Sequence, residues 1–264
     1  MSARAGALMW RILIIALYAF LLAPLVVVLI VSFDTRPYLS FPPATFSLGS
    51  YSAVLHDAGF RSAALLSLVI GIVSAGLSLL LGTAVSFALA RGRIPGRQAL
   101  QWLFLSPMLV PHIVLAVGLM MTLQPLGLLD TVSGLILAHI GITLPYTTRI
   151  ISSGMAALDR ETEQAAMLHG ATLWQTVRRV TLPALRPSLV AAGLIAFLFS
   201  FDEAVIALFI AGDKATTLPL AIYKYIQFRT DPQVAALSVL VVLVSAIPVL
   251  VIERNISLKR ALGA

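Results

Sequence analysis

The amino-acid sequence predicts an all-α integral membrane protein with six transmembrane helices. Hydrophobic residues make up 59% of the 264 residues and charged residues only 11%, whereas about a quarter of the residues of a soluble domain are charged. The mean hydropathy of +0.99 leaves too little polar side-chain surface to cover a water-soluble protein of this length. Strictly alternating apolar and polar segments are absent from the sequence, so we expect the spans to be helices and not the strands of a barrel.

Six apolar segments approach the roughly 20 residues that a helix needs to cross a bilayer. They are 12–32, 63–90, 100–123, 132–151, 188–210 and 234–252. The first is longer than the apolar core of a signal peptide and is not followed by a small-residue cleavage site, so we expect it to remain as a span. Candidate kink positions lie within or beside spans 3, 4 and 6, at Pro107, Pro111, Pro145 and Pro248.

Small residues recur every three or four positions along the second span, and the connections after it are short. The small residues are Gly71, Ala75, Ser78, Gly82 and Ser86, a spacing that lets helix backbones approach closely in a membrane. The short connections predict antiparallel hairpins for spans 2 to 4. In the longer connection before the last span, LPLAIYKYIQF predicts a short interfacial or re-entrant helix.

The distribution of basic residues predicts the orientation. With an even number of spans both termini share one side, and most of the 18 lysines and arginines fall on that side. Those assigned to the other side are Arg36, Arg61, Lys214, Lys224 and Arg229. Because cytoplasmic loops carry the excess of basic residues, we expect both termini to be cytoplasmic.

The most highly charged segment, MAALDRETEQAAMLHGATLWQTVRRVTLP, therefore lies on the cytoplasmic side. Asp159 is a candidate N-cap with acidic residues in the first turn after it, and Gly170 is a candidate left-handed C-cap. Thr172 and Gln175 form a capping box for a second helix, which Pro183 is expected to terminate. The segment thus predicts a helical hairpin, which either lies on anionic headgroups or docks onto a cytoplasmic partner.

The spacing of this segment resembles the EAA loop of the permease subunits of bacterial ABC importers. The matching pattern is Ala165-Ala166, three residues, Gly170, nine residues, and then Val180-x-Leu182-Pro183. In that family the loop forms a coupling helix that sits in a cleft of the cytoplasmic ATPase. The resemblance implies that the ATPase-coupling residues are Glu163, Gln164, Ala165, Ala166, His169, Gly170, Leu173, Leu182 and Pro183.

Two positions depart from the family pattern. Val180 replaces an isoleucine, which is a mild change of volume. Gln164 stands where the family usually has glutamate, and a glutamine still accepts a hydrogen bond but forms no ion pair. Any salt bridge that the family makes through this glutamate is therefore not expected here.

The resemblance extends over most of the chain. SPMLVPHIVLAVGL, GLILAHIGITLPYTTRII and SFDEAVIALFIAGDKATTLPLAIY look like the spermidine/putrescine permease branch, and within it like the second, C-type subunit. This implies a type I ABC importer permease fold, with an N-terminal helix and periplasmic loop at 1–60, a permease core at 61–253 that contains the coupling segment 155–187, and a cytoplasmic tail at 254–264.

The resemblance also implies the partners. They are a homologous permease subunit in a heterodimer, two ATPase subunits that bind ATP and Mg²⁺, a periplasmic substrate-binding protein and the lipid bilayer. No phosphate-binding loop is predicted, because none of the three lysines follows a glycine. The chain has no cysteine and its histidines show no metal-ligand spacing. We therefore expect no cofactor, metal or nucleic acid on this chain and no catalytic residue of its own.

An acidic pair, Asp202 and Glu203, interrupts the apolar run FLFSFDEAVIALFI. A carboxylate at membrane depth is costly unless it faces a cavity or a partner. Three interpretations remain open: a cation path helped by the aromatic faces of Phe199 and Tyr146, a structural hydrogen bond or ion pair, or a span whose outer end lies near Phe201, which leaves the pair in the membrane interface.

The function expected from these features is an inner-membrane permease of an ATP-driven ABC importer working by alternating access. Its solute would be small, polar and cationic, a polyamine such as spermidine or putrescine. The alternatives are another small solute, such as an amino acid derivative or an aminophosphonate, carried by the same machinery, and an ion-coupled secondary transporter that uses the acidic pair.

Overall fold

A computed structural model describes residues 3–92 and 94–255, and these residues are almost entirely helical. The helices are α1 (Ala3–Val31), α2 (Gly49–His56), α3 (Ala58–Arg91), α4 (Arg97–Leu105), α5 (His112–Leu123), α6 (Val132–Ala157), α7 (Arg160–Leu168), α8 (Leu173–Thr176), α9 (Leu182–Ala184), α10 (Arg186–Phe201), α11 (Val205–Ile210), α12 (Leu218–Phe228) and α13 (Pro232–Asn255). Short 3₁₀ turns follow α4 and α5, and a π-helical turn, Val177–Thr181, joins α8 to α9. Most of the predicted tail 254–264 lies outside the described residues.

Four helices are long and apolar enough to cross a membrane, and two bent pairs bring the number to six if each pair counts as one span. The continuous spans are Leu8–Val31, Ala58–Arg91, Val132–Ala157 and Pro232–Val251. The bent pairs are Arg97–Leu109 with His112–Leu126, at 107°, and Leu173–Ala184 with Arg186–Phe201, at 69°. The structure confirms an all-helical membrane protein, but predicted spans 3 and 5 are not straight.

The break in span 3 follows from the chemistry of proline. Pro111 and Val110 before it are both extended, with ψ of 135° and 132°, because a proline ring excludes the α conformation from the preceding residue. His112 then begins a new helix. In contrast, Pro145 and Pro248 lie inside α6 and α13, which continue through them.

Span 5 corrects two details of the sequence prediction. The predicted run 188–210 is not one helix, because α10 ends at Phe201 and α11 begins at Val205. Pro183 does not terminate the preceding helix but lies in the first turn of α9, where the missing N–H of a proline is tolerated. The change of direction comes instead at Leu185, between α9 and α10.

The chain divides into two compact units, one formed by the described residues of 1–61 with 222–244 and the other by those of 62–221 with 245–264. In the first unit, the loop after α1 is organised by the buried carboxylate of Asp34, to which Arg36 Nε donates at 2.8 Å. This guanidinium lowers the pKa of Asp34 from 3.8 to about 2. Phe46 on the same loop forms an isolated antiparallel bridge with Asp34.

The second unit contains a polar seam between α3 and α6. Ser78 Oγ and Thr143 Oγ1 lie 2.7 Å apart, and Thr147 Oγ1 donates to the carbonyl of Ser78 at 2.9 Å. Further along, Ser86 Oγ donates to the carbonyl of Thr148 at 3.1 Å. A Cβ on Gly82 would lie 2.9 Å from Thr147 Cβ and against its hydroxyl. The small residues of α3 therefore let the two backbones meet closely, as their spacing indicates.

Candidate functional site

The charged segment folds into a helical hairpin whose caps match the sequence prediction. Asp159 caps α7 by accepting from Glu161 N at 2.9 Å. The turn follows at Gly170, whose φ of +86° lies in the left-handed region that glycine adopts at little cost. Two backbone bonds close it: Gly170 N donates to Met167 O at 3.0 Å and Ala171 N donates to Ala166 O at 3.1 Å.

The second limb of the hairpin begins with a capping box. Gln175 N donates to Thr172 Oγ1 at 3.3 Å, and Thr172 N donates to Gln175 Oε1 at 2.8 Å. The limb continues through the π-helical turn and α9. Single π turns inside helices are frequent at functional sites. The hairpin thus has a fixed start, a fixed turn and an irregular second limb.

An ion pair ties the hairpin to the end of α3. Arg91 Nε donates to Glu163 Oε2 at 2.7 Å and Arg91 Nη2 donates to Glu163 Oε1 at 3.1 Å. Thr181 Oγ1 adds a third bond to Glu163 Oε1 at 2.9 Å. The side chains of Arg91 and Glu163 are only 24% and 13% exposed, and such fork-shaped charged bonds are among the stronger hydrogen bonds in proteins. Glu163 is thus bound within the chain, to partners that the sequence prediction missed.

The outer face of the hairpin is apolar and exposed. Leu168 is 88% exposed, Leu173 71% and Trp174 67%, with Met167 beside them. Of the other predicted coupling residues, Gln164, Ala165, His169 and Pro183 are exposed, while Ala166 and Leu182 are half-buried. Monomeric proteins rarely leave large apolar side chains clustered in this way without a partner for them.

The acidic pair lies at the break between α10 and α11. Asp202 is the C-cap of α10 and accepts from Ser245 Oγ at 3.2 Å. Glu203 is 6% exposed and accepts from Ile206 N at 3.0 Å, which caps the start of α11. Helix α10 ends at Phe201, while the position of the pair relative to the membrane stays a prediction.

Glu203 also connects the break between α10 and α11 to the break at Pro111. Its Oε2 lies 3.1 Å from Nδ1 of His112, the first residue of α5 after the break at Pro111. The buried carboxylate of Glu203 therefore has polar partners within the bundle. Ser245 and His112 were missed as partners of the pair, because no local pattern connects residues so far apart in the sequence.

The two predicted aromatic residues are in contact. The rings of Tyr146 and Phe199 stack with centroids 4.1 Å apart and planes 24° apart. Phe199 is 37% exposed, so one ring of the pair presents surface to its surroundings. The face of an aromatic ring attracts cations. Among the described residues, no group of three or more His, Asp or Glu side chains is arranged to hold a metal ion.

Comparison with known proteins gives consistent matches. Residues 78–260 match the family described as binding-protein-dependent transport system inner membrane component. The chain is 32% identical over 244 residues to the putrescine transport system permease protein PotI of Escherichia coli strain K12, covering 88% of this chain and 85% of that protein. It is 31% identical over 229 residues to the spermidine/putrescine transport system permease protein PotC of Haemophilus influenzae, covering 86% and 88%.

The fold is also that of solved transporters. A chain of the bacterial alginate ABC transporter, crystallised in complex with an alginate pentasaccharide-bound periplasmic protein, superposes with a TM-score of 0.68 at 18% identity, covering 96% of both chains. At this identity the likeness shows the fold alone. The family match covers more than half of the chain, and with the relatives it shows a multi-pass inner-membrane protein. The chain belongs to the family of binding-protein-dependent transport system inner membrane components, and it is a permease subunit of an ABC importer with the type I fold.

Proposed function

We propose that this permease imports a small cationic solute of the polyamine class by ATP-driven alternating access. The observation that carries the proposal is the hairpin, which is anchored on its inner side by the Arg91–Glu163 ion pair and presents apolar side chains outward. A hairpin that is fixed at its base and exposed at its tip can transmit the movement of a bound partner to the rest of the chain. Relatives named as putrescine and spermidine/putrescine permeases support the solute class.

The hairpin is the coupling helix, and its partner is a cytoplasmic ATPase. In this proposal Leu173 and the neighbouring exposed apolar side chains enter a cleft of the ATPase, which binds ATP and Mg²⁺ and to which this chain adds no nucleotide site. Two ATPase subunits serve two permeases, this chain and a homologous subunit. ATP hydrolysis supplies the difference in free energy that biases one conformation over the other.

A periplasmic binding protein delivers the solute, and both termini lie in the cytoplasm. Delivery by a binding protein is supported by the alginate transporter of the same fold, which was crystallised with its periplasmic protein. The cytoplasmic position of the termini rests on the basic residues at the hairpin end of the bundle, such as Arg91, Arg160 and Arg178, since cytoplasmic loops are enriched in arginine and lysine.

The solute path is lined by the acidic pair and the stacked aromatic rings. Asp202 is exposed, and the partner that the described residues give its carboxylate is the neutral hydroxyl of Ser245, so this carboxylate is available to a cation. Glu203 Oε2 lies 3.1 Å from His112 Nδ1. The same machinery would also suit an amino acid derivative or an aminophosphonate, each of which carries an ammonium group. Membership of the ABC permease family disfavours the ion-coupled alternative.

Substitution of Gly170 tests the coupling. Proline cannot adopt a φ of +86° and removes the N–H that donates to Met167 O. In the transporter reconstituted with its ATPase and binding protein, we expect Gly170→Pro to lower uptake at least tenfold while ATP hydrolysis continues. The matched control is Gly127→Pro, because Gly127 also has a positive φ, of +67°, and also donates one backbone bond, to Gln124 O.

Two outcomes would contradict the coupling role. One is normal uptake by an assembled Gly170→Pro transporter. The other is an equal loss of uptake in the Gly127→Pro control, which would indicate that any broken turn disturbs the bundle.

The solute path is tested by uptake of putrescine in the variants Asp202→Asn and Glu203→Gln. We expect the apparent KM to rise several-fold in Asp202→Asn, because a partial charge replaces a full one. Glu203→Gln retains an acceptor for Ile206 N and separates loss of charge from loss of the helix cap. Unchanged apparent affinity and rate in both variants would remove the pair from the path.

A further inference from the structure

A basic cavity lies beside the hairpin, and two of its arginines, Arg97 and Arg160, have no part in the proposed transport cycle. The cavity has a volume of about 430 Å³ and lies between the end of α3, the start of α4 and the end of α6. Its lining includes the side chains of Arg91, Arg97, Arg160, Gln101 and Ser152. We call it the arginine cavity.

The charges around this cavity are not balanced. Arg91 is neutralised by Glu163. Among the described residues, neither Arg97 nor Arg160 has a carboxylate within 4.0 Å, and no acidic side chain lines the cavity. The first turn of α4, which Arg97 begins, also contains no acidic residue. Arg97 and Arg160 therefore line one cavity without a counter-ion from the part of the chain that the structure describes.

The remaining groups of the cavity are also suited to an anion. Arg160 uses one nitrogen, Nη2, to donate to the carbonyl of Ala90 at 2.5 Å, which holds the side chain in place and leaves its other donors available. Gln101 supplies an amide in the same lining, and Arg97 is exposed and free to turn inward. Guanidinium groups bind the oxygens of phosphate in pairs with high directional fit.

The cavity lies at the level where two predicted membrane spans, α3 and α6, end. Arg91 is the last residue of a 34-residue apolar span, and α6 ends at Ala157 on the same side. Basic pockets between transmembrane helices at this level are typical binding sites for the headgroups of anionic phospholipids.

We propose that the arginine cavity binds a phosphate group through Arg97 and Arg160. The phosphate is that of an anionic phospholipid headgroup or inorganic phosphate, and the two sources share the same recognition chemistry. Occupancy would place a dianionic or monoanionic group next to Arg91, which anchors the hairpin. The cavity would bind an anion, whereas the proposed solute path would bind a cation, so a test of one does not decide the other.

Binding to the purified full-length chain in detergent tests the proposal. The probes are dioctanoyl phosphatidylglycerol, inorganic phosphate and the phosphate-free dioctanoylglycerol, and native mass spectrometry counts the bound molecules. We expect one phosphatidylglycerol to bind with an affinity that falls as salt rises. The double variant Arg97→Gln/Arg160→Gln should weaken this binding about tenfold or more, because charge-assisted bonds are lost.

The matched control is Arg178→Gln/Arg179→Gln, which removes the same charge from two exposed arginines of the hairpin. We expect it to change the affinity by less than about twofold. Arg97→Gln alone is the variant that leaves the Ala90 contact intact, and it guards against loss of binding through misfolding.

Displacement of the lipid by inorganic phosphate at comparable concentration assigns the site to free phosphate, and failure to displace it assigns the site to lipid. Equal losses in the two double variants would overturn the proposal, because the arginines would then act only as general surface charge. Equally tight binding of dioctanoylglycerol, or absence of any bound phosphate compound, would overturn it as well.

Discussion

Helix α3 is fixed at two places by two different chemistries. At its final residue, Arg91 holds the hairpin through a charged, two-point bond to Glu163. In its middle, α3 meets α6 through neutral hydroxyls and the absence of a side chain at Gly82. The difference follows from the solvent at each level, since an unpaired charge is far more costly within the hydrocarbon than a hydroxyl that finds a carbonyl.

Exchanging the two charged partners tests the first attachment and has the largest expected effect. Arg91→Glu or Glu163→Arg leaves like charges in contact, at a cost of about 1.5–3 kcal/mol for the lost charged bonds. Uptake by the reconstituted transporter should fall about tenfold or more in each single variant. The double variant Arg91→Glu/Glu163→Arg should recover part of the uptake, and thermal unfolding in detergent reports folding separately.

A double variant that folds and yet transports no better than the poorer single variant would show that the pair does more than attach the hairpin. In that case one of the two side chains contacts a partner directly.

A methyl group at Gly82 tests the second attachment. Because a Cβ there would meet Thr147, we expect Gly82→Ala to lower the free energy of unfolding by about 1–3 kcal/mol. The control is Gly76→Ala in the same helix, where nothing lies within 4 Å of the new Cβ, and it should be neutral or stabilising by up to about 1 kcal/mol. Denaturation in mixed micelles measures both, and equal effects would argue against a close contact between α3 and α6.

Removal of a single hydroxyl from the seam should have the smallest effect. Ser78→Ala removes the bond to Thr143 but keeps the carbonyl that accepts from Thr147, so we expect a loss of about 0.6 kcal/mol. Thr83→Ala is the control, because Thr83 donates only to Leu79 O in its own helix. A loss of several kcal/mol in Ser78→Ala would place the strength of the seam in its hydrogen bonds instead of its packing.

The sequence predicted what depends on neighbouring residues. The caps at Asp159 and Thr172 and the turn at Gly170 each involve residues within five positions, so local chemistry specifies them. The ion pair between Arg91 and Glu163 joins residues 72 positions apart, and nothing local indicates it. The arrangement of the coupling and solute-path residues toward their partners stays a prediction.

The broken spans show the same limit. Pro107 and Pro111 marked span 3 as a candidate for a kink, because proline acts on the residue before it. The break between α10 and α11 contains no glycine or proline; there Glu203 accepts from Ile206 N, which caps α11, and also lies 3.1 Å from His112. The contact with His112 depends on the folded bundle, so the periodicity of the sequence does not indicate it.

Direct contact of α3 and α6 at Gly82 also constrains how the permease can change shape. With only small residues and hydroxyls between them, the two helices have little room to slide or rotate past each other, so we expect α3 and α6 to move together. We then expect any flexible joints to lie where helices end, at 110–111, at Leu185 and at 202–204. A force applied to the hairpin would then move α3 and α6 together about these joints, and the contact between the two helices would not change.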